Sequence, residues 1–380
     1  MTKYQWKLSE IIERKKYILE RLKANVSKEE KEKLELSLIS CICLLNNSGS
    51  IRYTKFYNLI DKISNNRFSL SKNEKYGKIE HRLFFEQPPF LDDSYLEFLM
   101  QLASNISREI TEEINFSPLN LSSEELANIS KNFYSQFGDS EIEEKARKII
   151  DDPTALNITN AFRDGYQDYG GITYNDYIFN KSYCTMTKNN SIYDIQILNH
   201  EVMHGIDFYM HQKLPSKNYY GFHEVPTYTI DYLLIDYLEQ MGFDSAEVNK
   251  LRKQKFDYLS YLASLTLTQI NRQLIMSKGL KGSKDANISD IRKILNPQLI
   301  RQLLEIQSGI IAYGLAKQLS TNRQLGINNL KTFMKNDIDK NQRPDFSFIG
   351  LNDQQLLDLS IQYGENVMNL SSNNINGKIR

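Results

Sequence analysis

Cysteine is scarce in this chain of 380 residues: Cys41, Cys43 and Cys184 are all there are, and they form no Cys-x-x-Cys pair. An odd, scattered set of thiols fits reduced cysteines in a cytoplasm better than a disulfide framework. An excess of one charge is lacking too. Lys+Arg and Asp+Glu both number 47, so no basic surplus marks the chain for nucleic acid. Long apolar runs are missing. The longest uncharged one, Leu38 to Leu45, falls well short of the roughly 20 residues that a membrane helix needs. The opening Met1-Thr2-Lys3-Tyr4-Gln5-Trp6-Lys7 is polar, without an apolar signal core. The sequence holds no internal repeat and no low-complexity linker between folded parts, and it carries no mark of an oligomeric state. The expectation is a cytoplasmic protein that contacts neither nucleic acid nor membrane.

Histidine is also scarce, with five residues, yet two of them stand in His200-Glu201-Val202-Met203-His204. On a helix these two lie one turn apart and face the same way. Two neutral imidazoles at that spacing can bind one Zn²⁺, and the glutamate between them is placed to take a proton from a water. Ile195, Leu198, Val202 and Ile206 can form the buried side of this helix, expected from about residue 192 to 212. Asp207 shares the histidine face, where it could accept a proton from a ligand imidazole and fix its orientation. His211 lies too far along to reach the same metal, and His81 stands alone among charged residues.

A third ligand has to come from elsewhere. Phe222-His223-Glu224-Val225-Pro226-Thr227-Tyr228 follows a loop, and proline in the first turn suits a helix start. Glu224, 20 residues after His204, would give the two-histidine, one-glutamate set of a zinc peptidase. His223 is the rival ligand, pointing about a quarter-turn away.

Helical patterning dominates elsewhere. Apolar stripes and capping signals predict helices near residues 4–24, 28–45, 51–63 and 93–110. Ser122 with Glu125, and Ser140 with Glu143, start two more. Pro153 closes this run, so residues 1–153 read as a helical lobe. Between 157 and 188 the pattern turns to Gly, Tyr, Thr and Asn, with short strands expected at 171–174 and 182–187. Further helices are expected at 246–276, 289–295, 298–319, 327–336 and 354–369, with a loop at 279–287. Residues 154–370 form the catalytic region, and 371–380 a Ser/Asn-rich tail.

These residues resemble the thimet oligopeptidase and oligopeptidase F family of zinc peptidases. The resemblance runs over roughly residues 160–370. It rests on Arg163-Asp164-Gly165-Tyr166, on Ser182 to Thr187 as a substrate-pairing edge strand, on Ser191 to His204, on Glu224-Val225-Pro226-Thr227 with Asp231 seven positions on, and on Ser308-Gly309-Ile310. It implies a mainly α fold: a zincin-type (gluzincin) region with a small antiparallel sheet, and a helical N-terminal lobe flanking a substrate channel. It further implies one Zn²⁺ on His200, His204 and Glu224, Glu201 as general base, Asp207 and Asp231 supporting the ligands, and short or unstructured peptides as substrates. A dedicated leader-peptide processing enzyme and a non-catalytic peptide-binding protein of the same fold are the alternatives. The chain departs from the family in three places. Met203 stands where the family has glycine, and Asp207 where it usually has histidine. No histidine follows His223, so the family's C-terminal donors to the transition state have no match. Tyr313 and Tyr220, ahead of Tyr219 and Tyr228, are the expected substitutes for that role.

Overall fold

The computed structural model describes residues 8–47, 90–109, 114–160, 162–163, 166–167, 170–211, 221–338 and 342–371. The helix expected at 51–63, His81, Tyr219, Tyr220 and the tail beyond Ser371 lie outside them. The chain divides into two compact units that interleave in sequence. Met1–Ile79 joins Pro118–Leu214, and Glu80–Ser117 joins Pro215–Arg380. This division differs from a cut at residue 153. No helix among the described residues is long and apolar enough to cross a membrane.

The first unit is built on a small sheet. Its helices are α1 (Leu8–Arg21), α2 (Lys28–Asn47) and, past the segment that belongs to the second unit, Ser123–Ser135, Ser140–Ile150 and Tyr193–His211. Ser122 and Glu125 form the reciprocal capping box that their spacing predicts. For the next helix the cap is Asp139, which accepts from the Ile142 N–H at 2.9 Å, and not Ser140. The two alternatives differ by one residue, and the carboxylate is the one in reach of the orphan amide.

Strands β1 (Leu156–Asn160), β4 (Gly170–Asp176) and β5 (Lys181–Lys188) form the sheet in the order β1-β5-β4. Strands β2 (Phe162–Arg163) and β3 (Tyr166–Gln167) make a separate antiparallel pair. The sheet is mixed, not antiparallel throughout: β1 runs parallel to β5 with Leu156 opposite Cys184, and β4 runs antiparallel to it. This corrects the placing of Ser182–Thr187 at an edge. That strand is central, because Leu156–Asn160 covers its outer side; among the described residues β1 and β4 are the edges. Side chains alternate across the sheet. Tyr174 and Tyr183 join Ile11, Ile18, Leu34, Leu38 and Cys41 of α1 and α2 on one face. Thr173 and Cys184 turn to the helix Tyr193–His211 on the other.

The second unit is helical. It contains Asp93–Ile106, Glu224–Gln240, Ser245–Lys284, Ile288–Ile294, Pro297–Thr321, Arg323–Lys335 and Asp353–Ser371. In chain order across both units the helices after α2 are therefore α3 (Asp93–Ile106), α4 (Ser123–Ser135), α5 (Ser140–Ile150), α6 (Tyr193–His211), α7 (Glu224–Gln240), α8 (Ser245–Lys284), α9 (Ile288–Ile294), α10 (Pro297–Thr321), α11 (Arg323–Lys335) and α12 (Asp353–Ser371). Side-chain caps from Asp92, Asp244, Asn287, Asn296, Asn322 and Asn352 start six of them. Helix α8 continues past the expected stop at Met276 to Lys284, broken at Gly279, whose φ of 73° belongs to the left-handed region that favours glycine. Helix α10 packs on α3, α7, α8, α11 and α12. Helix α3 buries Tyr95, Leu96, Leu99, Leu102, Ala103 and Ile106, and packs on α8, α10 and α12.

Candidate metal centre

In the first unit, α6 carries the His-Glu-x-x-His run. Ile195, Leu198, Val202 and Ile206 are buried, as the stripe predicts. The helix lies on β4 and β5, with α4 and α5 alongside. Gly205 lets it come close: a Cβ there would stand 2.5 Å from Ile149 and 2.8 Å from the Ser182 hydroxyl. At the start of α6, the Asp194 carboxylate accepts the Asn189 and Asn190 amides at 2.8 and 2.9 Å. Burial nevertheless raises its pKa, because desolvation outweighs those bonds.

His200 and His204 are half-buried and share one face, with ring centroids 5.0 Å apart. Glu201 lies against β4 and is 5% exposed. The Thr173 hydroxyl stands 2.7 Å from its Oε2 and 2.8 Å from its main-chain oxygen. The Cys184 thiol donates to the same main-chain oxygen at 3.2 Å. Asp207 is buried further along the helix, and His211 is buried in its last turn.

In the second unit, Glu224 opens α7. Its Oε1 lies 3.0 Å from His223 Nε2, and its Oε2 accepts from the Thr227 hydroxyl at 3.1 Å. The rival ligand is thus an immediate partner of the favoured one. Asp231, expected to support the ligand, forms an ion pair with Lys255 of α8 at 2.8 Å. The Lys255 ammonium also sits 3.7 Å from the centre of the Tyr228 ring. Burial lowers the Lys255 pKa, against the pull of Asp231.

The expected hydroxyl donors are placed unequally. Tyr313 is fully buried. It packs edge-on to Tyr232, Phe256 and Tyr363, accepts from Asn366 at 2.8 Å, and has its pKa pushed up to about 12 by burial. It is a core tyrosine, which corrects its assignment as a catalytic donor: the helix position matched, but the side chain faces the interior of its own unit. Tyr228 donates to Glu305 at 3.1 Å, and Tyr258 donates to the same oxygen at 2.7 Å. Burial, followed by Glu224 and Glu305, drives the Tyr228 pKa well above its ordinary value.

Sequence reasoning missed Gly171, Thr173, Tyr258, Lys255 and Glu305. The first two had a faint signal: small residues two apart on a strand that precedes α6. The others had none, since their roles depend on how α7, α8 and α10 pack. Among the described residues, one group of histidine, cysteine, aspartate and glutamate side chains could hold a metal ion: His200, His204 and Glu224, with one donor atom each. Two imidazoles and a carboxylate are a donor set that zinc accepts, with a coordination position left over.

No protein-family model matches the chain, and no curated protein does. Solved structures are similar at low identity. One described as an oligoendopeptidase F from Bacillus anthracis str. Ames is 14% identical with a TM-score of 0.49, over 91% of this chain and 64% of that one. PZ peptidase A with an inhibitor is 12% identical with a TM-score of 0.46, over 89% and 65%. A chain described as a peptidase from Chlamydophila abortus is 12% identical with a TM-score of 0.49, over 96% and 63%. This chain spans less than two thirds of their lengths, and at these values they assign it no activity.

Proposed function

We propose that the chain is a zinc-dependent peptidase that hydrolyses peptide bonds in short or unstructured peptides in the cytoplasm. The observation that carries this reading lies within α6 and β4. Two imidazoles share a helix face at 5.0 Å, and the carboxylate between them in sequence is buried and hydrogen-bonded at 2.7 Å. A histidine pair that served only packing would not call for such a carboxylate.

His200, His204 and Glu224 are the residues that would hold zinc. When bound, zinc supplies Lewis acidity toward a water and toward a carbonyl oxygen. Glu201 takes the proton from the attacking water and passes it to the departing amine nitrogen. Thr227 and His223 hold the Glu224 carboxylate from two sides, which fixes the direction of its oxygens.

The test is incubation of the purified protein with a mixed peptide library, with and without chelator, read by mass spectrometry. Peptides should be cut, cutting should stop with chelator and return with Zn²⁺, and a stable folded protein should survive. His200→Ala, His204→Ala and Glu224→Ala should each lose bound zinc by elemental analysis. Absence of chelator-sensitive cleavage would reject the reading, and full zinc binding by Glu224→Ala but not by His223→Ala would move the third ligand to His223.

A further inference from the structure

Glu201 needs more than its place in the helix if it is to move protons. A general base works only within hydrogen-bond reach of the proton it takes. Productive geometry tolerates about 0.5 Å and 10–20°. A glutamate side chain has three rotatable bonds, so something outside α6 must choose its rotamer. We propose that Thr173 is the positioning residue for the Glu201 carboxylate, and that Gly171 provides the space in which that carboxylate lies. This inference rests on the peptidase reading and deepens it.

The hydrogen-bond inventory decides where the Thr173 hydrogen goes. Its hydroxyl has one hydrogen and three acceptors nearby: Glu201 Oε2 at 2.7 Å, the Glu201 main-chain oxygen at 2.8 Å and, at the longer 3.5 Å, the weakly accepting Cys184 sulfur. The main-chain oxygen already takes the helical N–H of Gly205, one turn on within α6. Its second lone pair takes the Cys184 thiol at 3.2 Å. Burial keeps that thiol protonated, with its pKa pushed up to about 12. A carbonyl has two lone pairs, so the Thr173 hydrogen goes to Oε2, where the bond is charge-assisted and stronger.

Gly171 acts by what it lacks. Two residues before Thr173 on the same face of β4, it lies directly against Glu201. A Cβ there would stand 2.4 Å from Glu201 Cγ, 2.8 Å from Cδ and 2.7 Å from Oε1. Any side chain at 171 would therefore displace the carboxylate. One strand residue holds one carboxylate oxygen, and the other leaves room for its mate.

The test compares Thr173→Val, Thr173→Ser and Gly171→Ala with wild type. Thr173→Val keeps the shape and removes the hydrogen, so kcat should fall about 10- to 100-fold, with KM, zinc content and the unfolding midpoint near wild type. Thr173→Ser should restore most of the rate, which a purely structural role of the methyl group would not allow. Gly171→Ala should lower kcat from the opposite side with zinc retained, and it covers the case that Thr173→Val folds poorly. Crystal structures give the readout free of activity: the Glu201 carboxylate should leave its wild-type position in Thr173→Val and Gly171→Ala. Wild-type turnover by Thr173→Val, or an unmoved Glu201 in its crystal structure, would overturn the proposal. If the wild type cuts no peptide, the peptidase reading fails, and the crystallographic comparison alone decides whether Thr173 and Gly171 place Glu201.

Discussion

Two buried carboxylates, one in each unit, are held by opposite means. Asp231 is 2% exposed and faces the Lys255 ammonium at 2.8 Å, with the Tyr228 ring against the same ammonium. Glu201 is 5% exposed and takes its 2.7 Å bond from a neutral hydroxyl. An ammonium beside a buried carboxylate neutralises it and ties two helices together. A hydroxyl fixes direction without supplying a countercharge. On the proposed reading, the contrast separates an anchor from a working group, although both are buried acids on helices.

The largest expected effect is on the working group. Glu201→Gln keeps volume and removes the base, so kcat should fall about 10²- to 10⁴-fold while zinc content, read by elemental analysis, stays unchanged. A Gln variant that turns over peptide normally would erase the distinction. The anchor should answer in stability instead. Lys255→Met leaves Asp231 buried without its cation and should cost about 3–5 kcal/mol in urea unfolding. Lys255→Met with Asp231→Leu should recover most of the loss, since a matched apolar pair needs no countercharge. If the single variant is as stable as wild type, the pair is no anchor. The smallest effect should come from Tyr313→Phe. Its hydroxyl bonds to Asn366 in the core, so unfolding should show a loss of about 0.5–1.5 kcal/mol with kcat unchanged. A ten-fold fall in kcat at normal zinc content would return Tyr313 to the chemistry.

What the sequence made legible was local. The Ser122 and Glu125 capping box, the apolar stripe of α6 and the shared face of His200 and His204 each follow from spacings of three or four residues. What it hid depends on remote segments. Ser182–Thr187 read as a strand but could not be read as central, because its outer neighbour is Leu156–Asn160, whose pairing is parallel and set at a distance. The place of Asp231 seven positions after Glu224 gave no sign of its ion pair with Lys255, one helix further on. Tyr313 matched a helix position, and only the rings of Tyr232, Phe256 and Tyr363 decide that it points inward. The Gly279 break shows the reverse error: a Gly/Lys/Ser composition suggested a loop where helical turns resume beyond one left-handed residue.

The interleaving of the two units has a consequence for synthesis. Helix α3 buries an apolar face against partners that include α12, and Asn105 donates to Ser360, 255 positions later. At about 5–20 residues per second, a ribosome needs roughly 10–50 s to cover that distance. Over that interval α3 waits without one of its packing helices, although the strands described in the first unit are all made by residue 188. The second unit therefore cannot complete its packing in order of emergence, and its early helix has to wait for the last one.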